Sequence, residues 1–260
     1  MEYRTLTIDS KGPATAITLN RPENRNAISA EMIDELLAAF AEAEAAPARV
    51  VTITGSGNSF CSGMDLGALR SLAGQPFEQN MEDSRRLAQL LLRIYSFPKP
   101  VIAAVNGPAL AGGCGIATLT DFTLAVPEAK FGYTEVRIGF IPAVVSVFLR
   151  RQIGEKRTRD LLLSGRIINA EEAYRMGLVT EVVPVGELVA RTQELISVLL
   201  AASPASLART KRLLLGYDEA ALKIELDAAI RENADIRATP DFREGLSAFL
   251  EKREPKWSGG

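Results

Sequence analysis

Short apolar runs alternate with helical patterns through the first half of the chain. Five runs rich in β-branched or small apolar residues predict strands over 5–9, 14–19, 49–54, 101–105 and 122–126. Between them, segments 30–45 and 81–97 have apolar residues three and four positions apart, which is helical spacing, and Ser29 is a candidate N-cap for the first. Because strands and helices alternate, this part of the chain is predicted to form an α/β core.

From about Glu155 the pattern becomes almost wholly helical. Glycine and proline separate six segments with helical periodicity: 155–164, 170–176, 187–201, 204–215, 218–238 and 242–252. The polar segment 67–79 contains glycine and proline and is predicted to be a poorly ordered loop. The overall prediction is an α/β core followed by a helical C-terminal segment.

The composition limits the chemistry that the chain can perform. None of the 260 residues is histidine, which excludes the usual Ser-His-Asp and Cys-His systems and every imidazole metal site. Two cysteines, Cys61 and Cys114, are too few for a disulfide framework or a four-thiolate zinc site. We therefore expect no metal, and proton transfer must use a carboxylate, Lys, Tyr, Cys or main-chain groups.

Charge and hydropathy restrict the expected partners. The 30 basic and 32 acidic residues give a net charge of −2 without a basic run, which argues against nucleic acid as a partner. No apolar run approaches the roughly 18–20 residues that a membrane span needs, and the N-terminal segment lacks the pattern of a signal peptide. A cytoplasmic protein with no membrane partner is expected.

Two glycine-rich segments follow predicted strands and are candidate sites for chemistry. They cover residues 55–66 (GSGNSFCSGMDL) and 106–115 (NGPALAGGCG), and the second opens a short helical segment. Such turns expose main-chain N–H groups, which suit an anion or a developing oxyanion. Neither segment has the phosphate-loop or dinucleotide-binding fingerprint. Tight packing of turns that require glycine remains the alternative interpretation of each segment.

The third candidate is Glu135, in the mainly apolar segment 129–142. A carboxylate against apolar walls has a raised pKa, which favours its use as a general acid or base. The alternative, an ion pair with Arg137 or Lys130, is equally compatible with the segment.

Five motifs together resemble a known family. In chain order they are NRPENRNAIS, SGNSFCSGMDL, PKPVIAAVNGPALAGGC, KFGYTEVRIGFIP and AEEAYRMGLVTEVVP. In their order and spacing they resemble the crotonase superfamily of enoyl-CoA hydratases and isomerases, from about Tyr3 to Trp257. The resemblance implies a spiral of repeated ββα units over 1–200 that binds acyl-CoA. It also implies a helical segment over 201–260 for oligomerisation as a homotrimer or a dimer of trimers.

The resemblance also implies roles for individual residues. The main-chain N–H groups of Met64 and Gly112 would stabilise an enolate, and Glu135 would transfer protons. Coenzyme A would enter as part of the substrate, with no separate cofactor. Its expected contacts are Arg25 and the loop residues Cys61, Ser62, Asp65 and Leu66, together with Phe249 and Lys252 from a neighbouring subunit. For Asp65, bracing its own loop is an alternative role, and a charge at a helix end is one for Lys252.

One position departs from the family pattern. Hydratases of the family carry two glutamates, and the first of them falls on Gly115 here. With Glu135 as the only acid or base, isomerisation of a double bond is mechanistically favoured, because one carboxylate can move a proton between two carbons. The alternatives are hydration of a 2-enoyl-CoA, including branched glutaconyl-type thioesters, and a non-catalytic protein that binds acyl-CoA.

Overall fold

The computed structural model describes residues 3–72 and 74–259, and its strands form two sheets. In chain order the strands are β1 (Leu6–Asp9), β2 (Ala14–Leu19), β3 (Val50–Gly55), β4 (Val101–Val105), β5 (Ala109–Leu110), β6 (Phe122–Ala125), β7 (Lys130–Gly132), β8 (Ile168–Asn169) and β9 (Glu181–Val182). The larger sheet has the order β1-β2-β3-β4-β6-β9, in which β1 is antiparallel to β2 and the other pairs are parallel. The smaller sheet has the order β5-β7-β8.

Ten α-helices surround and extend these sheets within the described residues. They are α1 (Ala30–Ala45), α2 (Leu66–Leu72), α3 (Phe77–Tyr95), α4 (Gly112–Thr118), α5 (Ala143–Ser164), α6 (Ala170–Met176), α7 (Leu188–Ala201), α8 (Pro204–Gly216), α9 (Glu219–Asp235) and α10 (Pro240–Glu251). Short 3₁₀ helices span Pro22–Asn24, Glu135–Ile138 and Ile236–Ala238. No helix among the described residues is long and apolar enough to cross a membrane.

Local sequence explains the main elements of the core. Strand β4 is buried at all five positions, because helices cover both faces of the parallel sheet. Helix α1 begins where the Ser29 side chain accepts a hydrogen bond from the Met32 N–H at 3.1 Å, as the N-cap prediction requires. The α/β class with a helical C-terminal segment is confirmed.

The structure corrects two predictions about secondary structure. The segment 67–79 is not a loop throughout, because α2 ends at Leu72 and α3 begins at Phe77, while residue 73 lies outside the described residues. Helix α5 begins at Ala143, well before the predicted 155, and Gly154 (φ +77°, ψ 163°) interrupts its helical geometry. The buried first half of α5 was missed because an apolar helix segment has no amphipathic period.

The C-terminal helices pack on the core of their own chain. Helix α9 lies against α3 and α5, and α10 lies against the 3₁₀ helix Glu135–Ile138. A Cβ on Gly245 in α10 would lie 2.4 Å from the carbonyl carbon of Ile138, so only glycine permits this approach. Helix α10 therefore holds the segment that carries Glu135. The proposed division near residue 200 and the oligomeric role of the C-terminal helices stay predictions.

Candidate active site

The two glycine-rich segments lie side by side and are hydrogen-bonded in register. The N–H groups of Phe60 and Cys61 both donate to the Pro108 carbonyl at 3.1 Å, and the Leu110 N–H donates to the Cys61 carbonyl at 2.9 Å. Cys61 and Ala109 form a parallel bridge. A Cβ on Gly63 would lie 2.9 Å from the Cβ of Ala111, so the residues that precede Met64 and Gly112 are in contact.

Glycine permits the close approach of the two segments. A Cβ on Gly107 would lie 2.3 Å from the Asn58 carbonyl oxygen, and one on Gly113 would lie 2.4 Å from the Cys61 carbonyl oxygen. Neither distance is possible for a real side chain. The packing interpretation of these glycines is therefore correct, and it brings the candidate N–H donors together.

The N–H groups of Met64 and Gly112 are free to bind a ligand. Ile28 pairs with the first segment through its N–H to the Gly63 carbonyl at 2.8 Å and through its carbonyl to the Asp65 N–H at 2.9 Å. This pairing uses the residues on either side of Met64 and leaves its own N–H unused. Among the described residues, neither N–H has a hydrogen-bond acceptor. Two free N–H groups at one site can both donate a hydrogen bond to a single oxygen atom.

Ala111 has a strained conformation immediately before Gly112. Its φ of 48° and ψ of −127° are uncommon for a residue with a Cβ, and such strain costs about 1–3 kcal/mol. The surrounding structure holds it there: the Ala111 N–H donates to the Gly132 carbonyl at 2.7 Å, and its carbonyl accepts from the Gly115 N–H at 3.2 Å. The strained turn sets the direction in which α4 presents its first N–H, that of Gly112.

Glu135 begins its 3₁₀ helix and is half-buried, and its carboxyl group accepts a hydrogen bond from its own N–H. Its Oε2 atom is buried and has no hydrogen-bond partner among the described residues. It also forms no ion pair with Arg137 or Lys130 in this part of the chain, so that alternative is not supported. Burial raises the pKa of Glu135 to about 7. A carboxyl group with this pKa can both accept and donate a proton near neutral pH.

A cavity of about 720 Å³ connects these groups. Met64, Gly112 and Glu135 all line it, and its walls are mostly apolar side chains from α3, the start of α5 and neighbouring segments: Leu69, Leu87, Leu91, Phe140, Ile141, Val144 and Val145. The structure thus brings the three predicted catalytic positions to one largely apolar cavity. Among the described residues, no group of three or more potential ligands could hold a metal ion.

Position 115 lies beside the same apolar wall. A Cβ on Gly115 would meet the side chains of Val145 at 3.4 Å and Leu91 at 3.7 Å, which are ordinary contact distances. Both neighbours line the cavity whereas Gly115 itself does not, so a longer side chain at 115 would reach the cavity between Leu91 and Val145.

Two further carboxylates line the cavity, and neither replaces the missing one. Asp65 forms an ion pair with Arg21 at 3.0 Å and accepts a hydrogen bond from the Gly67 N–H at 2.8 Å. Burial favours the neutral acid, but these interactions together hold its pKa below the ordinary value. Asp65 is therefore charged and braces its loop. Glu23 is exposed in the 3₁₀ helix Pro22–Asn24.

The predicted CoA contacts have different locations. Arg25, Ser62 and Asp65 line the cavity. Phe249 also lines it, but from α10 of the same chain, whereas we expected it to come from a neighbouring subunit. Helix α10 brings Phe249 there because it packs on the 3₁₀ helix Glu135–Ile138.

Two other predicted contacts, Cys61 and Lys252, are not at the cavity wall, and the side chain of a third, Leu66, is not described. Cys61 is a correction: its side chain is fully buried in the core between the two segments, so it supports the loop rather than contacting a ligand. Lys252 is exposed at the C-terminus of α10, with φ +56°, and does not line the cavity. Leu66 begins α2, and its side chain lies outside the described part of the structure.

Sequence reasoning missed residues that shape the apolar side of the cavity. Leu87 and Leu91 belong to the predicted helix 81–97, and their helical spacing is equally typical of core packing. Asn233 lines the cavity from α9, although its position in a polar stretch of the sequence gives no signal of this.

Comparisons with known proteins show which family the chain resembles. A family model described as Enoyl-CoA hydratase/isomerase matches residues 10–260. The chain is 43% identical over 248 residues to a Thermus thermophilus protein named "Putative enoyl-CoA hydratase", covering 95% of this chain and 98% of that protein. It is 35% identical over 248 residues to the 2,3-dehydroadipyl-CoA hydratase of Escherichia coli, covering 94% of each.

A solved structure of the same family has a similar fold. The enoyl-CoA hydratase/isomerase from Xanthobacter autotrophicus Py2 superimposes with a TM-score of 0.89 at 31% identity, covering 97% of this chain and 98% of that one. The crotonase-like fold predicted from the motifs is thereby confirmed.

The buried carboxyl of Glu135 should make stability depend on pH. Its pKa is raised from 4.5 to about 7 in the folded chain, so ionisation opposes folding. The free energy of unfolding should fall as pH rises from 4.5 to about 7 and remain lowered above that, by up to about 3 kcal/mol. Glu135→Gln should remove this loss, as measured by denaturant unfolding across the pH range. Glu128→Gln, at an exposed site, is the matched control. Parallel curves for wild type and Glu135→Gln would contradict the assignment.

Proposed function

The chain belongs to the enoyl-CoA hydratase/isomerase family, and we propose that it isomerises the double bond of an enoyl-CoA thioester. One observation carries this proposal. Among the described residues, Glu135 is the one cavity-lining carboxyl group with a buried oxygen atom that has no hydrogen-bond partner, and it lies at the cavity that Met64 and Gly112 line. Isomerisation needs one such group, whereas the family's hydratase pattern uses two.

The proposed reaction moves one proton. Glu135 removes a proton from C2 of a 3-enoyl thioester, and the electron pair of the C–H bond moves onto the thioester oxygen to form a dienolate. The N–H groups of Met64 and Gly112 donate hydrogen bonds to that oxygen, an interaction for which loss of one donor typically costs about 2.7–4 kcal/mol in the barrier. Glu135 then returns the proton to C4, which yields the 2-enoyl thioester.

The electrostatics of the cavity support this role for Glu135. Its pKa of about 7 gives comparable amounts of acid and base near neutral pH. The apolar walls strengthen the hydrogen bonds to the enolate, because a water-poor site screens charge less than bulk water does.

Hydration of a 2-enoyl-CoA is the second candidate function. Its support is the naming of the similar proteins from Thermus thermophilus and Escherichia coli, which are called hydratases. Hydration by this chain would require Glu135 alone to activate the water and to supply the proton at C2. A non-catalytic acyl-CoA-binding role has less support, because both N–H donors and Glu135 line one cavity.

Binding of the CoA portion is proposed for the cavity residues outside the reacting centre. Arg25 and Ser62 line the cavity and are proposed to contact CoA, with Phe249 from the same chain. CoA enters as part of the substrate, and no separate cofactor is required by the proposed reaction. Assembly as a homotrimer or a dimer of trimers stays a prediction, as does a cytoplasmic location.

Replacement of Glu135 tests the proposed role of this residue. With a 3-enoyl-CoA substrate, Glu135→Gln should lower kcat/KM at least about 100-fold, because general acid–base catalysis contributes roughly 10²–10⁴. For the wild type, kcat/KM should rise as pH increases through about 7, since the base form starts the reaction. Product identification by NMR, with Glu128→Gln as control, gives both readouts. Activity of Glu135→Gln within tenfold of wild type, or inertness of the wild type, would refute the role.

A glutamate placed at position 115 should change the reaction. Gly115→Glu would extend a second carboxyl along the wall formed by Leu91 and Val145, restoring the two-carboxyl arrangement. We expect this variant to gain hydration of a 2-enoyl-CoA, at least tenfold above wild type. Gly115→Ala adds the Cβ without the carboxyl and should not gain it. Rapid hydration by the wild type would instead favour the second candidate function.

A further inference from the structure

A buried polar cluster lies against one wall of the cavity, away from Glu135. At its centre is Arg237, which is 2% exposed. Its Nη2 donates to Asp83 Oδ2 and to Asn233 Oδ1, both at 2.9 Å, and its Nη1 donates to Asn80 Oδ1 at 3.2 Å. Ser84 Oγ accepts from Arg237 Nη2 at 3.2 Å and lies 2.8 Å from two acceptors for its one hydrogen, Asn233 Oδ1 and the Asn80 carbonyl oxygen. The cluster therefore ties the end of α9 to α3.

These contacts fix the orientation of the Asn233 amide. A guanidinium group has only donors, so the Asn233 atom that faces Arg237 must be the carbonyl oxygen. The amide nitrogen Nδ2 consequently lies on the opposite side. Among the described residues Nδ2 has no hydrogen-bond partner, although Asn233 is only 2% exposed. Asn233 lines the cavity, and its Nδ2 is not among the fully buried atoms that lack a partner, so the accessible surface of Nδ2 is assigned to the cavity.

The contacts of α3 indicate how far Asn233 lies from position 115. Ser84, Leu87 and Leu91 lie along one face of α3, and Ser84 is bonded to Asn233 whereas Leu91 adjoins position 115. Ser84 and Leu91 are about two helical turns apart, or about 10 Å. Asn233 therefore contacts the cavity wall about two turns of α3 away from position 115.

We propose that Asn233 is a specificity-determining residue that binds an oxygen atom on the distal part of the acyl chain. This inference rests on the proposed function, because it requires an acyl thioester in the cavity. A purely alkyl chain would enclose the Nδ2 donors with no partner, and an enclosed donor without an acceptor is costly. A chain with an oxygen at this depth would satisfy them.

The charge balance indicates an uncharged oxygen. The positive charge of Arg237 is already paired with Asp83, and the group that faces the cavity is a neutral amide. A carboxylate on the acyl chain would therefore have no cation of its own in the cluster. A ketone or a hydroxyl group needs only the hydrogen bond that Nδ2 offers. The expected substrates are acyl-CoA thioesters with a keto or hydroxyl group on the distal part of the chain.

Substitutions at two buried asparagines separate this role from a structural one. Asn233→Asp keeps the acceptor for Ser84 and Arg237 but replaces the donor that faces the cavity with another acceptor. Asn80→Asp makes the same chemical change on the other side of Arg237, where the residue does not line the cavity. If Asn233 only supported Arg237, both variants would behave alike.

The experiment measures binding and turnover with matched thioesters. Binding is measured by calorimetry with saturated acyl-CoA thioesters of increasing length, each in alkyl, keto, hydroxyl and terminal carboxylate form. Turnover is measured with the corresponding enoyl thioesters. For at least one chain length in the series, the wild type should bind the keto or hydroxyl thioester about tenfold or more tightly than the alkyl thioester. Asn233→Asp should remove this preference, and Asn80→Asp should retain it.

The outcomes are distinguishable. An equal preference in wild type and Asn233→Asp, a preference of the wild type for alkyl or carboxylate chains, or an equal loss in both variants would overturn the inference. Binding is measured separately from turnover. Selective binding of the keto or hydroxyl form without turnover of any enoyl thioester would refute the proposed function while supporting the role of Asn233.

Discussion

The in-register pairing of two glycine-rich segments is the constraint on which the proposed site depends. Hydrogen bonds between Cys61 and residues 108–110 fix the relative position of the segments, and glycines at 107 and 113 permit backbone contact where any side chain would collide. This pairing brings Met64 and Gly112, whose N–H groups are free, to the wall of one cavity. Main-chain donors held in this way need no reorganisation when charge develops on a bound oxygen, which is the basis of electrostatic catalysis.

The acid–base group depends on a different part of the chain. Glu135 lies at the start of a 3₁₀ helix, and α10 packs on that helix through the close approach of Gly245 to Ile138. Burial leaves Oε2 of Glu135 without a hydrogen-bond partner and raises the pKa of the carboxyl group to about 7. In a chain without histidine, a carboxyl group tuned by burial can thus transfer protons near neutral pH. The C-terminal helices therefore contribute to the site of their own chain.

Much of this organisation could be predicted from the sequence, for physical reasons that are specific to each element. Strands β2 and β4 have the predicted bounds because their apolar pattern and flanking Pro and Gly are local signals. Strands β5 and β9 have only two residues each, and they exist through pairing with distant segments. Glu135 and the two loops were found through their motifs, whereas Asn233 was not, because its orientation depends on contacts with Ser84 and Arg237.

The central claim is that one carboxyl group, Glu135, both removes and returns the proton. The most direct test supplies a 3-enoyl-CoA with deuterium at C2 and locates the label in the product by NMR. With both C2 hydrogens replaced, one deuterium stays at C2, and transfer by a single carboxyl predicts that the other appears at C4 of the 2-enoyl product, with only part of it lost to water. Absence of deuterium from C4, or a 3-hydroxyacyl product in place of the 2-enoyl thioester, would contradict the account.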